Sequence, residues 1–263
     1  MAIYDWKSFL MPYEQAVDEL KVKLRSIRKE YRRKNEYSPI EFVTGRVKDI
    51  SSLLEKANKF GIPLDRVQYE MEDISGIRIM CQFVDDIDKV VELLRARKDM
   101  QILYEKDYVR NVKTSGYRSY HIIIKYPVNM ASGQTEILAE FQIRTLAMNF
   151  WATIEHSLNY KYKQQMPLDI KDKLKKAADA AFDLDEQMLE IKDEIKDAQK
   201  LFEVKSDIVS NIMHSILTLI SLGKAAEASR YEVALNKLIE DGEIWELTNL
   251  LESIKHDIDR YRD

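Results

Sequence analysis

The sequence predicts an α+β fold, a small sheet flanked by helices and followed by a helical C-terminal extension. Three observations carry that prediction. Only seven Gly and five Pro occur in 263 residues that are rich in Leu, Ile, Lys, Glu and Ala, which favours helix through most of the chain. Between residues 77 and 144 several short stretches run apolar or alternate with period two, as strands do. After Thr145 the apolar spacing changes to three and four and stays there. At this length the chain can bury a core without disulfide or metal staples.

The elements follow in order. From Tyr4 to Arg33 the residues Phe9, Tyr13, Val17, Leu20, Leu24, Ile27 and Tyr31 repeat at three or four, which predicts one long amphipathic helix with a basic opposite face. Ser38, Pro39 and Glu41 form a helix-start pattern that predicts a second helix running to Phe60, ended by Gly61 and Pro63. A first strand is expected over Ile77 to Phe83, a helix from Asp86 to Arg97, and a second strand from Gln101 to Val109. Two more strands, Tyr117 to Tyr126 and Thr135 to Arg144, are separated by a turn-rich segment from Pro127 to Gln134. Helices are then expected over Leu146 to Tyr162, Leu168 to Phe202, Ile208 to Leu222, Ala225 to Glu240 and Ile244 to Tyr261.

Composition narrows the function. The 41 basic and 45 acidic side chains sum to a net charge of -4, which gives no global case for a nucleic-acid or membrane surface. The single cysteine, Cys81, excludes an internal disulfide and a cysteine metal cluster, and its apolar run makes it a small core residue. No apolar run approaches the ~20 residues that span a bilayer, and early Asp5 and Lys7 do not read as a signal peptide. A soluble cytoplasmic protein is the expectation.

Candidate chemistry sits on the strands. Alternation places Tyr117, Ser119 and His121 on one face of their strand and Glu140, Gln142 and Arg144 on one face of theirs. The opposite faces are more apolar, with Ile122 and Ile124 on one strand and Ile137, Ala139, Phe141 and Ile143 on the other, so the polar faces describe either a site or a solvated sheet surface. No glycine-rich phosphate loop of either common pattern is present, so side chains would have to hold any nucleotide. Arg46, Lys48 and Lys56 on the expected second helix, with Arg78 on the first strand, are the candidate cations; for the lysines a solvated helical face is the alternative. Asp73, just before the first strand, can bind Mg²⁺ jointly with substrate phosphates or simply cap a turn. Lys21, Arg25 and Arg28 recur at four and three and form one stripe of the first helix.

Four ordered motifs resemble the synthetase domain of the RelA/SpoT homologues. They are the segments 42–48, 73–79, 116–121 and 140–145, and the continuation from Met148 to His156 resembles the small alarmone synthetases of the RelQ branch. The resemblance implies a nucleotidyltransferase-like domain with a small mixed sheet over residues 1–203, and leaves 204–263 as a helical extension of unknown role. It implies transfer of the β,γ-pyrophosphate of ATP to the 3′-hydroxyl of GDP or GTP, giving ppGpp or pppGpp. By the same resemblance, Arg46 and Arg78 would sandwich adenine, and Lys48 and Lys56 would hold the ATP phosphates. Asp73 and Glu140 would place Mg²⁺, with Glu140 activating the hydroxyl; Tyr117 would stack on guanine, and His121, Gln142 and Asn149 would fix the acceptor. It further implies a homotetramer with an activating pppGpp cleft formed by Lys21, Arg25, Arg28, Phe42 and Thr44. Bifunctional relatives carry an amino-terminal hydrolase domain, whereas this sequence opens on synthetase helices, so no alarmone hydrolysis is expected. His256 and Asp257 stand without partner histidines. A rival reading has the same cations and aromatics holding single-stranded RNA, which the two carboxylates would hinder.

Overall fold

The computed structural model describes residues 5–161, 167–239 and 242–262. The expected helix boundaries at Tyr4, Tyr162 and Glu240 lie outside the described residues. The chain divides into two compact units, one up to Leu189 and one from Glu190 on.

The first unit opens with α1 (Trp6–Arg33), whose start is capped by Asp5 accepting from the Ser8 amide at 3.2 Å. Its Tyr13, Ala16, Val17, Leu20 and Leu24 are buried, the stripe that the sequence spacing predicts. Then come β1 (Phe42–Val47), α2 (Ile50–Phe60), the single turn α3 (Val67–Glu70), β2 (Ser75–Cys81), α4 (Asp85–Arg95) and β3 (Gln101–Asp107). The hairpin β4 (Tyr120–Met130) and β5 (Gly133–Thr145) leads into α5 (Leu146–Lys161). The long helix α6 (Leu168–Ser221) follows, and α7 (Ala225–Leu238) and α8 (Ile244–Arg262) complete the chain.

The five strands form one mixed sheet in the order β1-β2-β5-β4-β3. Only β2 and β5 run parallel; the other neighbours are antiparallel. One face is the core: Val43, Ile77, Ile79, Ile122, Ile124, Ala139, Phe141 and Ile143 are buried there together with the apolar stripe of α1. Cys81 is fully buried, the small core residue that its apolar run predicts. Among the described residues no helix is long and apolar enough to cross a membrane.

Three expectations are corrected. The second helix does not start at Pro39, because Ser38 closes only a local turn, its hydroxyl accepting from the Ile40 amide at 3.2 Å. Residues 42–47, with β-branched Val43, Thr44 and Val47, pair as an edge strand with β2, and the helix start is capped instead by Asp49, which accepts from the Ser52 amide at 2.8 Å. Arg46 is therefore a strand residue, Lys48 lies in the β1–α2 connection, and of the three cations only Lys56 is helical. The segment from Pro127 is not a turn: Pro127 lies within β4 opposite Glu136, and the turn is confined to residues 131–132. β3 pairs with β4 only as far as Lys125, so the proline sits where β4 has an open side and its missing N–H breaks no ladder there. Finally, α6 runs unbroken through the gap expected between Phe202 and Ile208.

The second unit has its own core. Ile212, Ile216 and Leu219 of α6 pack with Ala228 and Leu235 of α7 and with Leu247, Leu251, Ile254 and Ile258 of α8.

Candidate active site

Strand register builds the site from two adjacent rows on the sheet face opposite the core. One row sets Thr44, Arg78, Gln142, His121 and Lys106 side by side across all five strands. The next sets Arg46, Gly76, Glu140, Ile123 and Tyr104. Because side chains alternate, every polar member of these rows points the same way. Gly76 lies between Arg46 and Glu140 without a side chain, which opens a cleft of about 250 Å³ lined by Thr44, Arg46, Asp73, Arg78, Glu140 and Gln142.

At one end of the cleft Asp73 is gripped by two lysines. Lys48 Nζ and Lys56 Nζ each stand 2.8 Å from a different Asp73 oxygen. Burial alone would raise the Asp73 carboxyl, but the two ammonium groups outweigh it and hold it below the usual carboxylate range. Burial first, and then the charges of Arg144 and Arg46, lower Arg78, against which the Glu140 charge acts in the opposite sense.

Glu140 occupies the centre. Its Oε1 lies 2.7 Å from His121 Nδ1, and its Oε2 accepts from Gln142 Nε2 at 2.7 Å. Burial pushes the Glu140 carboxyl up, yet His121 and Gln142 overcome that and leave it below its ordinary value. The Asp73 charge opposes this shift, which marks two carboxylates sharing one site. The network continues outward: His121 Nε2 lies 2.8 Å from the Tyr117 hydroxyl, which accepts from Arg144 at 2.5 Å. Arg144 also donates to Gln142 Oε1 at 2.9 Å and to the buried Ser119 hydroxyl at 3.2 Å. A neutral imidazole that donates from Nδ1 to Glu140 and accepts at Nε2 from Tyr117 satisfies every member of this chain.

The structure thus brings Arg46, Asp73, Arg78, Glu140 and Gln142 to one cleft, with Lys48 and Lys56 on Asp73 and Tyr117 and His121 linked to Glu140. Tyr117 arrives from the loop before β4, not from the strand itself. Asn149 lies in the first turn of α5; its side-chain oxygen is buried and has no hydrogen-bond partner among the described residues. The five residues expected to form a second cleft are divided by β1. Lys21, Arg25 and Arg28 run along α1, where Arg25 donates to the Val43 carbonyl at 3.2 Å and Arg28 to Glu41 at 2.8 Å. Thr44 lines the central cleft instead, and Phe42, two residues away on the strand, is exposed.

Several side chains at the site were not singled out from sequence, whereas alternation places Arg144 on the face of Glu140 and Gln142 without giving it a role. His156 stands seven residues after Asn149 on α5, two helical turns, and burial followed by the fields of Arg46 and Arg78 lowers its pKa. Tyr108 and Lys113 carried no periodic signal, because a loop delivers them: Lys113 Nζ lies 4.2 Å from the Tyr108 ring centroid and 4.8 Å from that of Tyr117. Among the described residues no group of three or more His, Cys, Asp or Glu forms a metal cage. Two converging carboxylates do fit a cation such as Mg²⁺ that takes its remaining ligands from phosphate oxygens and water.

A sheet face carrying paired carboxylates among crowded lysines and arginines belongs to a protein that handles polyanions. Residues 45–165 match the region found in RelA/SpoT proteins. The chain is 56% identical over 200 residues to the GTP pyrophosphokinase YjbM of Bacillus subtilis, a match covering 76% of this chain and 94% of that one. A crystal structure of small alarmone synthetase 1 from Bacillus subtilis bound to its product pppGpp superimposes with a TM-score of 0.71 at 55% identity, covering 73% of this chain and 99% of that one. Another, bound to AMPCPP, gives a TM-score of 0.65 at 52% identity over 74% of this chain and 100% of that one. The chain belongs to the RelA/SpoT family, among its small alarmone synthetases.

Proposed function

We propose that the cleft transfers the β,γ-pyrophosphate of ATP to the 3′-hydroxyl of GDP or GTP, making ppGpp or pppGpp and releasing AMP. The observation that carries this reading is the convergence of Lys48 and Lys56 on Asp73 in a cleft shared with Arg46, Arg78 and Glu140. Arg46 and Arg78 flank the donor's adenine, where a flat guanidinium can stack on a base while its charge serves the phosphates. The two lysines pair with Asp73 and turn to the triphosphate when it arrives. Asp73 and Glu140 would hold Mg²⁺, which would offset charge on the phosphate oxygens.

On the acceptor side Tyr117 stacks on guanine, and His121, Gln142 and Asn149 fix the nucleotide. The 3′-oxygen attacks the β-phosphorus, the bond from that phosphorus to the α,β-bridging oxygen breaks, and AMP leaves. Glu140 takes the hydroxyl proton; its lowered pKa keeps it ionised at neutral pH. Most of the acceleration comes from positioning and charge stabilisation, as in phosphoryl transfer generally. The synthetase reading covers residues 1–203 and leaves 204–263 as a helical addition, a boundary that falls within α6, beyond the division of the two compact units at Leu189.

A homotetramer activated by pppGpp is part of the proposal, with Lys21, Arg25, Arg28 and Phe42 in the activator's cleft. Thr44 stands in that set only if the product reaches over the strand. Synthesis without hydrolysis is the expected balance. His256 is exposed on α8, and Asp257 beside it accepts the Tyr231 hydroxyl at 2.7 Å. The test incubates the protein with Mg²⁺, labelled ATP and GDP or GTP and resolves the products. Absence of a labelled guanosine product sinks the reading, and product disappearing when ppGpp is supplied alone refutes the expected balance.

A further inference from the structure

Arg144 reaches Glu140 by two routes at once. Its buried guanidinium donates to three uncharged oxygens: the Tyr117 hydroxyl at 2.5 Å, Gln142 Oε1 at 2.9 Å and the Ser119 hydroxyl at 3.2 Å. A single nitrogen, Nη2, makes the first two of these bonds. From it one route runs through Tyr117 and His121 to Glu140 Oε1, and the other through the Gln142 amide to Glu140 Oε2. Ser119 in turn donates to the Ile143 carbonyl at 3.3 Å, which ties the guanidinium to the backbone of β5.

The groups along both routes are ambiguous by themselves. A hydroxyl donates or accepts, a neutral imidazole carries its proton on either nitrogen, and an amide can turn end for end. A guanidinium has no such choice, since it only donates and stays charged. Because Arg144 donates to the Tyr117 oxygen, the phenol proton is left for His121 Nε2, and the imidazole proton must then lie on Nδ1, facing Glu140. Because it donates to Gln142 Oε1, the amide must turn its NH₂ to Glu140. Each carboxylate oxygen thereby meets a donor. With the imidazole proton on Nε2 instead, a bare Nδ1 lone pair would face Glu140 Oε1 at 2.7 Å. We propose that Arg144 is a positioning residue that fixes the His121 tautomer and the Gln142 amide, and through them keeps Glu140 presented to the acceptor hydroxyl as an ionised base. The catalytic half of this inference rests on Glu140 acting as base in the proposed transfer; the place of the His121 proton does not.

Nitrogen-15 NMR of the full chain tests it, because protonated and bare imidazole nitrogens resonate far apart and the chain has only four histidines; the His121 signals are those lost in His121→Asn. At neutral pH the wild type should carry the His121 proton on Nδ1. Arg144→Gln, whose amide accepts as well as donates, should let the proton move wholly or partly to Nε2 and lower kcat by about 10²-fold, the low end of what a general base supplies. Tyr117→Phe cuts the route to His121 with Arg144 in place, so it should free the tautomer likewise, and adding Arg144→Gln to it should move the tautomer no further. A wild-type proton on Nε2, or a tautomer unmoved in both single variants, overturns the proposal. A tautomer that moves in Arg144→Gln while kcat holds overturns the positioning role. A wild type that makes no guanosine product refutes the transfer itself, and the two failures are told apart because the tautomer is read without substrate.

Discussion

Glu140 receives two hydrogen bonds that favour its ionised form, and its reactivity follows from them. Glu140→Gln keeps the shape and removes the proposed base, so turnover should fall by about 10²- to 10⁴-fold while nucleotide binding persists, as read by product assay beside calorimetric titration. His121→Ala removes the donor at Oε1 and leaves burial less opposed, so the Glu140 pKa rises. The acid limb of kcat/KM should then move to higher pH; a limb that stays in place excludes His121 as the group that holds Glu140 ionised. Asp185 behaves in the opposite sense. Burial raises its carboxyl to about 6, and the Thr145 hydroxyl, its hydrogen-bond donor, only partly offsets this. The folded state therefore binds a proton that the unfolded chain has released. The stabilisation is complete below the ordinary carboxyl range and is lost as pH rises through about 6. Asp185→Asn should flatten stability across that window and raise it at neutral pH, as measured by urea unfolding on both sides of the window.

At the scale of elements, the strand that carries Arg46 is the most informative. Ser38 and Pro39 write a helix start, but that signal is spent in one turn, and pairing with β2 decides the rest. The same pairing gives Gly45 its role. A Cβ there would stand 2.9 Å from Val17 Cγ1 and 3.0 Å from Ile77 Cδ1, so the glycine lets α1 lie close on β1. Gly45→Ala should cost about 1 to 3 kcal/mol by overpacking, read as a lower urea midpoint with an unchanged slope. An unchanged midpoint would show that α1 shifts freely there. β4 and β5 were legible because their alternation survives over many residues, whereas Pro127 read as a breaker only because the end of β3 cannot be seen in sequence. The expected break in α6 failed for a related reason: residues 203–207 are polar apart from Val204, which suits a linker and a solvated helical turn alike.

Among the described residues the two largest hydrophobic cores share no residue, one built on the sheet and α1, the other on α6, α7 and α8. Separate cores permit separate unfolding. Leu219 is fully buried in the second, so Leu219→Ala should cost that unit about 2 to 5 kcal/mol. Calorimetry should show one transition moving down while the other and the synthetase rate hold; a single transition that moves as a whole would mean that the units melt together. The sequence by itself determined the α+β class, the apolar stripe of α1, the alternating faces of β4 and β5, and the ordered motifs that carry Arg46, Asp73, Arg78, Tyr117 and Glu140. These are local patterns, and period and motif order are written in adjacent residues. Only the tertiary structure decided that residues 42–47 pair as a strand, that Thr44 faces the central cleft, and that Lys48 and Lys56 meet on Asp73. Each depends on strand register and on contacts between distant segments, and register is fixed by the partner strand, which no local stretch encodes.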